Sequence, residues 1–432
     1  MSKLRFTVFT KSGGGVMTKS INLVAGQLTK DSSQCWLSDG FAETVEVYFK
    51  HLPKVLDAVE CNQAVSWGVQ QQESIKIVSK AKEASSDDAI SRTGEHFRFQ
   101  ENRPGVMMID SDSGMPSAEL MPILVGVIPE LNGCARIERP SCSSDIYSGD
   151  ELLTSRGTGR IYILVDNAAE IPRVGKIMHQ RLILAGHGSI QISRSGAMLT
   201  RSLIDDCVWQ PERLDFVAPP ILGKGLVRNA PEAKYIEGGM LRTADIEDLG
   251  GDDLKRLELV VAGLKALAQP ESAKVKAVYV DSEADKLAKV QSIPKDDAVK
   301  IVRQRTVGNL VGGDMLFFDN LGPVAVADVL RDPAKYDLET LADPLEPEYG
   351  GGRCKAMLYA NDGDAIIHSF AHGSKVYTLG GFGKLIEEIE KPLLILPGGN
   401  TRLNDCAEAL AQLLVKNGRF YVHNGELCEV ST

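Results

Sequence analysis

Two aspartates stand one residue apart at the end of an apolar segment. The segment VMMI predicts a buried strand, and Asp110, Ser111 and Asp112 follow it directly. Residues i and i+2 of a strand point to the same face, so the two carboxylates would lie side by side. Such carboxylates repel each other unless a cation lies between them, and their hard oxygen atoms suit Mg²⁺ or Mn²⁺. Since Asp and Ser are also common in turns, the pattern alone leaves a metal site and a polar turn open.

A second acidic pair follows another apolar pair in the segment SRSGAMLTRSLIDDCVWQPERLDF. Asp205 and Asp206 lie there among Arg194, Arg201 and Arg213. Between residues 160 and 213, seven basic residues outnumber five acidic ones, although the whole chain has a net charge of −10. A locally positive segment is expected near bound phosphate groups, but it also fits a solvated loop with ordinary ion pairs.

Small polar residues precede a third predicted strand. Ser143 and Ser144 lie in RPSCSSDIY, and Arg160 opens the apolar segment RIYILV after TSRGTG. Glycine and serine allow the backbone to come close to a phosphate, and an arginine at the strand start could bind a triphosphate. Taken alone, the same residues also describe a hairpin loop.

A competing nucleotide site lies near the N-terminus. GGGVMTKS at Gly13–Ser20 resembles the phosphate-binding loop G-x-x-x-x-G-K-[ST], in which backbone N–H groups surround the phosphates. Thr18 stands where the second glycine is needed. In this alternative, a P-loop NTPase would use Lys19 and Ser20, with Asp110 as its Mg²⁺-binding acid.

Other common chemistry has less support in the sequence. His368 and His372 are spaced to share a strand face, but no third ligand or HExxH pattern accompanies them, which favours a structural role. No serine lies in a G-x-S-x-G motif, so nothing indicates a hydrolase triad.

Composition narrows the class of protein. The chain has 432 residues, of which 43% are hydrophobic and 25% charged, as in globular proteins of two or three domains. Eight scattered cysteines without a CxxC pair argue against a disulfide scaffold or a zinc ribbon. No apolar run reaches the ~20 residues of a membrane helix, and the N-terminus lacks the apolar core of a signal peptide. We therefore expect a cytoplasmic protein with reduced thiols and no membrane association.

The pattern of elements predicts an α/β (α+β) protein in three parts. Strands alternating with helices favour a mixed catalytic domain over residues 1–235, and Lys-, Glu- and Ala-rich segments predict a solvated helical connector over 236–305. Residues 306–432 predict a smaller C-terminal α+β domain, with strands in CKAMLYA and AIIHSFAHG and a hairpin turn at Asn424-Gly425. The other predicted elements are helices at 42–65, 117–128, 171–185 and 403–416, strands at 105–110, 136–139, 160–165 and 189–193, and a surface connection at 79–102.

The order of these motifs resembles the archaeo-eukaryotic primase superfamily. More closely, it is similar to the primase-polymerase part of replication proteins carried by phages, plasmids and integrated elements. The resemblance rests on VMMIDSD, on the Ser/Gly turn before IYILVDNAAEIPRVGKIMHQRLILAGHG, and on LIDDCVWQPERLDF followed by the SFAHG segment. It covers the chain from about Gly105 to Leu379 and, more weakly, the first hundred residues.

The resemblance implies a DNA primase-polymerase that makes primers or extends DNA by two-metal nucleotidyl transfer. Its fold would combine mixed sheets with an RRM-like half. Asp110 and Asp112 would be the first metal-binding pair, and Asp205 the third acid, with Asp206 and Asp166 as rivals. Two Mg²⁺ or Mn²⁺ ions would be the cofactors. Nucleoside triphosphates would contact the residues Ser143, Ser144, Arg160, Arg194 and Arg201.

The sequence departs from the family pattern at one position. A histidine that contacts nucleotide phosphate is replaced by Arg160, which can also bind a triphosphate. The expected partners are a single-stranded DNA template and a helicase domain or protein, because related proteins carry a helicase after the SFAHG segment. The resemblance therefore leads us to expect that the chain is a fragment, or a natural stand-alone version, of a primase-helicase. The alternatives are the P-loop NTPase and a non-catalytic nucleic-acid-binding replication module.

Overall fold

The structure is a computed structural model. It describes residues 3–111, 114–154, 159–361, 364–371, 374–380, 420–423 and 426–429. These residues form several β-sheets together with helices, so the predicted mixed α/β class is confirmed. No helix among the described residues is long and apolar enough to cross a membrane.

Strands and short helices alternate up to residue 236. The helices are α1 (Leu52–Asp57), α2 (Lys80–Glu83), α3 (Ser117–Val127) and α4 (Ile171–Leu182). The strands are β1 (Lys3–Lys11), β2 (Ser20–Val24), β3 (Gln27–Asp31), β4 (Gly40–Tyr48), β5 (Gln63–Ser66), β6 (Ser74–Val78), β7 (Ala89–Ser91), β8 (Gly105–Asp110), β9 (Arg136–Pro140), β10 (Ile146–Ser148), β11 (Glu151–Leu152), β12 (Gly159–Val165), β13 (Ser189–Ile192), β14 (Met198–Arg201), β15 (Ile221–Leu222), β16 (Leu226–Arg228) and β17 (Lys234–Ile236).

Two sheets share one hydrophobic core in this part of the chain. The first has the strand order β5-β1-β4-β6-β7, and the second has the order β17-β9-β12-β8. Phe6 of β1 packs against Trp67, which packs against Tyr162 of β12, with ring centroids 5.5 and 5.2 Å apart. Strand β1 also contacts β8, and α3 contacts β12. The apolar runs of β8 and β12 are therefore buried, and their polar residues lie at the strand ends.

The prediction of a helix at 42–65 is wrong. This segment contains most of β4, then α1, then β5. Strand β4 pairs with β1 along its whole length, and its β-branched side chains, such as Val45 and Val47, pack against the core. Pro53 then stands at the start of the short helix α1, a position that proline favours.

The segment 79–102 is more than a surface connection. It contains helix α2 and strand β7, which extends the first sheet by pairing in parallel with β6. The predictions for the helices near 117–128 and 171–185 and for the strands near 105–110, 136–139, 160–165 and 189–193 are confirmed.

Two helices follow, α5 (Gly251–Gln291) and α6 (Lys295–Val307), as the composition of residues 236–305 predicted. Tyr279 and Leu287 on the second half of α5 are buried with α6 and the C-terminal sheet in one core. This half of the connector is therefore not a solvated helix, because it forms part of the C-terminal hydrophobic core.

The C-terminal unit contains a sheet with the order β18-β24-β23-β22-β21-β19-β20. The two strands predicted from CKAMLYA and AIIHSFAHG are confirmed as β22 and β23, which pair antiparallel. Its elements are β18 (Asn309–Val311), β19 (Met315–Phe318), β20 (Gly322–Ala325), α7 (Val326–Arg331), β21 (Thr340–Leu341), β22 (Ala356–Asn361), β23 (Asp364–Ser369) and β24 (Lys375–Gly380).

The last described elements are β25 (Phe420–His423) and β26 (Glu426–Glu429), which pair antiparallel. The predicted turn between them at Asn424-Gly425 and the predicted helix at 403–416 lie outside the described residues.

Candidate active site

Asp110 and Arg160 face each other across the pair of strands β8 and β12. Asp110 ends β8, and Arg160 lies directly opposite it near the start of β12. Nε of Arg160 donates a hydrogen bond to Oδ2 of Asp110 over 3.4 Å. The Asp110 side chain is 32% exposed, whereas that of Arg160 is only 12% exposed. The carboxylate is therefore the more accessible member of the pair.

Asp205 lies beside Asp110 although the two are far apart in sequence. Ser111 and Ile204 form an isolated β-bridge, and the backbone N–H of Asp205 donates to the carbonyl of Asp110 over 3.0 Å. Ile204 is buried, which anchors the chain just before the acid. The structure thus brings together the first acid of the DxD pattern and the acid of LID. Asp112 lies outside the described residues.

The donor set at this position suits a hard divalent cation. Asp110 and Asp205 are both partly exposed and offer carboxylate oxygens, the ligands that Mg²⁺ and Mn²⁺ prefer. The backbone N–H of Cys207 donates to Oδ1 of Asp205 over 2.9 Å, which orients that carboxylate. Asp205, Asp206 and Cys207 place one donor atom each within 4.8 Å of one another, a group that does not include Asp110.

Asp206, the first alternative to Asp205 as the third acid, lies close to other charged groups. Its Oδ2 lies 3.8 Å from Nε2 of His179, and its Oδ1 lies 3.7 Å from a guanidinium nitrogen of Arg201. Nδ1 of His179 is hydrogen-bonded to the hydroxyl of Ser202 over 2.9 Å. Burial lowers the pKa of His179, an effect that Asp206 opposes.

Asp166, the other rival, lies at the opposite end of β12. It lies six positions after Arg160, which corresponds to about 20 Å along a strand. Its Oδ1 accepts hydrogen bonds from the backbone N–H of Thr243 over 2.9 Å and from the Thr243 hydroxyl over 2.8 Å. Asp166 therefore holds a turn and is not brought near Asp110.

A buried aspartate that the sequence analysis did not single out completes the surroundings of Arg160. The Asp215 carboxylate forms an ion pair with Arg160 and accepts a hydrogen bond from the Tyr162 hydroxyl over 2.9 Å. Its backbone pairs with Val65 of β5, so Asp215 lies between the two sheets. Arg160 and Tyr162 are two residues apart on β12, so their side chains point to the same face of the sheet. This spacing in the sequence indicates that the two side chains can share a partner.

The charges of this network are strongly coupled. Burial alone would lower the pKa of Arg160, but Asp215 and then Asp110 raise it well above its usual value. Burial also raises the pKa of Tyr162, as does the charge of Asp215. Arg160 therefore stays a cation and Tyr162 stays a neutral hydrogen-bond donor. The carbonyl of Phe216 accepts a further hydrogen bond from Arg160 over 3.1 Å.

The serine turn is held mainly by its own hydrogen bonds. The hydroxyl of Ser144 is buried and donates to the carbonyl of Ser141 over 3.0 Å, while that of Ser143 lies 3.5 Å from the Ser141 hydroxyl. Arg228 donates to the same Ser141 carbonyl over 3.0 Å. Arg139, which lies opposite Arg160 on β9, adds another cation nearby. The turn is thus flanked by arginines, and Ser143 is the more accessible serine.

Arg194 and Arg201 lie in different surroundings. Arg194 lies in the turn between β13 and β14, where it approaches Glu283 of α5 at 3.6 Å and Glu348 at 3.8 Å. Its carboxylate partners thus belong to the connector and the C-terminal unit. Arg201 instead contacts Asp206 next to Asp205, so only Arg201 lies close to the candidate metal ligands.

The segment Gly13–Ser20 does not have the geometry of a P-loop. Ser20 begins strand β2, whereas the phosphate-binding loop needs a helix N-terminus at this position. The Thr18 side chain is buried and donates to the carbonyls of Ala218 and Pro219. The structure therefore contradicts the P-loop alternative.

Of the two histidines in the SFAHG segment and the strand before it, His372 lies outside the described residues. His368 packs edge-on against Phe370, with ring centroids 5.3 Å apart.

Comparison of the chain with protein-family models, with curated proteins and with solved structures finds no match. The assignment of a function therefore depends on the geometry of the site and on the order of its motifs.

Proposed function

We propose that the chain is a metal-dependent nucleotidyltransferase of the archaeo-eukaryotic primase type. It would act as a primase-polymerase on single-stranded DNA, use nucleoside triphosphates, and serve the replication of a mobile element together with a helicase. The observation that carries this proposal is the hydrogen bond between the backbones of Asp205 and Asp110, because it aligns two acids from distant segments at one end of a sheet. The order of the motifs supports the same family.

Asp110, Asp112 and Asp205 would hold Mg²⁺ or Mn²⁺. When bound, two such ions stabilise the attacking 3′-oxygen and the leaving pyrophosphate. The contribution of the protein is to orient the carboxylates before the ions bind. Asp110 is oriented by Arg160, and Asp205 by the backbone of Cys207.

Arg160 would take the place of the histidine expected from the family. Asp215 and the carbonyl of Phe216 fix one of its terminal nitrogens, so its position is set before a substrate arrives. A guanidinium has several N–H donors in a planar arrangement and can bind phosphate oxygens through those that stay free. Arg139 and Arg228 beside the serine turn would add positive charge for the rest of the triphosphate.

A template-dependent incorporation assay tests the proposal. The purified chain is incubated with single-stranded DNA, labelled nucleotides and either Mg²⁺ or Mn²⁺, and extended products are measured. We expect metal-dependent synthesis that is lost in Asp110→Asn and Asp205→Asn. Asp252→Asn at the exposed start of α5 is the matched control and should retain full activity. Full activity of Asp205→Asn would contradict the proposed site.

One observation favours a second candidate, a non-catalytic nucleic-acid-binding replication module. Arg160 itself supplies a positive charge next to Asp110, so this carboxylate has a partner without a metal ion. In that case the protein would bind DNA equally well with and without divalent cations, and no nucleotide would be incorporated under any metal condition.

A further inference from the structure

The first half of helix α5 packs against the rest of the described chain with one side only. The hydroxyl of Ser272 donates to the carbonyl of Gly196, in the turn between β13 and β14, over 2.8 Å. A Cβ added at Gly188, just before β13, would lie 3.2 Å from Cδ1 of Leu264. No residue between 251 and 271 is fully buried by the part of the chain that the structure describes. The side of the helix opposite to Ser272 therefore faces solvent.

This opposite side carries apolar residues. Gly263 lies nine residues before Ser272, which is about two and a half helical turns, so the two positions point in opposite directions. Leu259 and Leu267 lie four residues before and four residues after Gly263, in the same row on the helix surface. Their side chains are 74% and 82% exposed, and Ala266 beside them is exposed too. The row is an apolar surface that no described residue covers.

Gly263 in the middle of the row is not required by the packing of the described chain. Glycine in a helix interior is unfavourable compared with alanine. No described atom lies within 4 Å of a Cβ added at Gly263, so the fold leaves room for a side chain there. A glycine at the centre of an exposed apolar row does allow the backbone of another helix to approach closely.

Exposed charges are arranged symmetrically about Gly263. Lys255 lies eight residues before it and Glu271 eight residues after it, and their side chains are 79% and 63% exposed. Each forms an ion pair with a residue three positions away on α5, at 3.7 and 3.8 Å. Such exposed pairs contribute little stability, so both side chains can also contact a second molecule. A helix with this arrangement is complementary in charge to an antiparallel copy of itself.

The other charges at the two ends of the row do not oppose this pairing. Arg256 follows Lys255, and it would add a second cation near the Glu271 of another copy. Beyond the row, the acidic residues Asp252 and Asp253 precede Lys255, and the basic residue Lys274 follows Glu271. An antiparallel copy would therefore bring no like charges together at either end.

We infer that residues 255–271 of α5 form the interface of a symmetric dimer of this chain. The two helices lie antiparallel, with the two-fold axis at Gly263. Leu259 of each copy then meets Leu267 of the other, and Lys255 meets Glu271, so each contact occurs twice. Rows of residues four apart interdigitate when two helices cross at about −50°, the commonest class of helix packing.

The length of the contact predicts a weak dimer. Residues 255–271 span about 24 Å of helix. Pro270 lies at the end of this stretch, and a proline inside a helix removes a hydrogen bond and bends the axis. A contact of this length is smaller than the interfaces of permanent dimers, so we expect a Kd on the order of 10 μM.

Sedimentation equilibrium of the full chain at low salt tests the inference. We expect a monomer–dimer equilibrium in the wild type. Leu259→Glu should raise Kd at least about thirtyfold, because each copy loses an apolar contact and places a charge against Leu267. Val290→Glu is the matched control, since Val290 is 83% exposed on the same helix but lies outside the contact, and it should leave Kd unchanged. Circular dichroism verifies that each variant is folded.

Charge reversal tests the antiparallel arrangement. Lys255→Glu and Glu271→Lys should each raise Kd about tenfold at low salt, because two attractive contacts become two repulsive ones. The double variant Lys255→Glu/Glu271→Lys keeps the net charge of the chain and should recover the wild-type Kd. In a parallel dimer, by contrast, the double variant and the wild type would both bring like charges together.

Three results would overturn the inference. One is a wild-type chain that stays monomeric at concentrations about tenfold above the expected Kd. Another is a monomer that Leu259→Glu destabilises, which would assign the apolar row to another segment of the same chain. The third is a dimer whose Kd is the same in Leu259→Glu as in the wild type, which would place the interface on another surface.

Discussion

Arg160 and Asp215 form a buried ion pair that joins the two sheets of the N-terminal unit. Arg160 belongs to β12 of the second sheet, and the backbone of Asp215 pairs with Val65 of the first. The same guanidinium reaches Asp110 at the candidate metal site. The Arg160 side chain therefore contributes both to the contact between the two sheets and to the orientation of the first acid.

Removal of one charge of this ion pair should destabilise the folded protein. In Asp215→Asn, the buried guanidinium loses its main counter-charge, which is expected to lower the free energy of unfolding by about 3–5 kcal/mol. Urea unfolding at neutral pH measures this change. The double variant Arg160→Met/Asp215→Leu removes both charges and should recover most of the stability, since apolar replacements of buried pairs are often neutral. A double variant less stable than Asp215→Asn would contradict this account of the pair.

Gly175 on α4 should tolerate no side chain. A Cβ there would lie 2.2 Å from the Trp209 ring, and Nε1 of Trp209 donates to the carbonyl of Met108 in β8. Gly175→Ala must displace the indole, so we expect a loss of about 1–3 kcal/mol and lower activity. Gly126→Ala on α3 is the control, because no atom lies within 4 Å of its added Cβ. Equal melting temperatures for the two variants would refute the prediction.

Protonation of Glu83 should contribute to the loss of protein stability at acid pH. Burial raises its pKa, but hydrogen bonds from Lys80 and Ser91 outweigh that effect and lower the pKa from 4.5 to about 2. A carboxyl group with a lowered pKa stabilises the folded state above its unfolded pKa, and this stability is lost as the pH falls from about 4.5 towards 2. Glu83→Gln should therefore be less stable than the wild type at pH 7, on the order of 2–3 kcal/mol.

The difference between Glu83→Gln and the wild type should shrink as the pH falls through this range. Unfolding by urea at several pH values measures it. A constant difference between pH 7 and pH 3 would show that the titration of Glu83 does not contribute.

The sequence predicted those parts of the site that depend on local pattern. The apolar runs before Asp110 and after Arg160 specify buried strands, so polar residues at their ends were natural candidates for chemistry. The spacing of the apolar residues did not predict the structure of 42–65 correctly. The β-branched residues of this segment fit either a helix or a strand, and pairing with β1 favours the strand.

The remaining features depend on contacts between distant segments. Asp215 pairs with Val65 and Arg160, which lie in other strands, and nothing in RLDF indicates that its carboxylate is buried. The exclusion of Asp166 likewise requires the register of β8 and β12, which places it at the opposite end of the strand from Arg160. The contact of Trp36 with Arg353 joins loops more than three hundred residues apart, beyond any local pattern.

Anomalous diffraction from crystals soaked with Mn²⁺ and a nucleotide is the most direct test of the central claim. We expect a Mn²⁺ peak coordinated by the carboxylates of both Asp110 and Asp205, and its loss in Asp205→Asn. Asp166 should remain hydrogen-bonded to Thr243 with no metal nearby. A Mn²⁺ ion bound at Asp166, or bound nucleotide without a peak between Asp110 and Asp205, would contradict the proposed site.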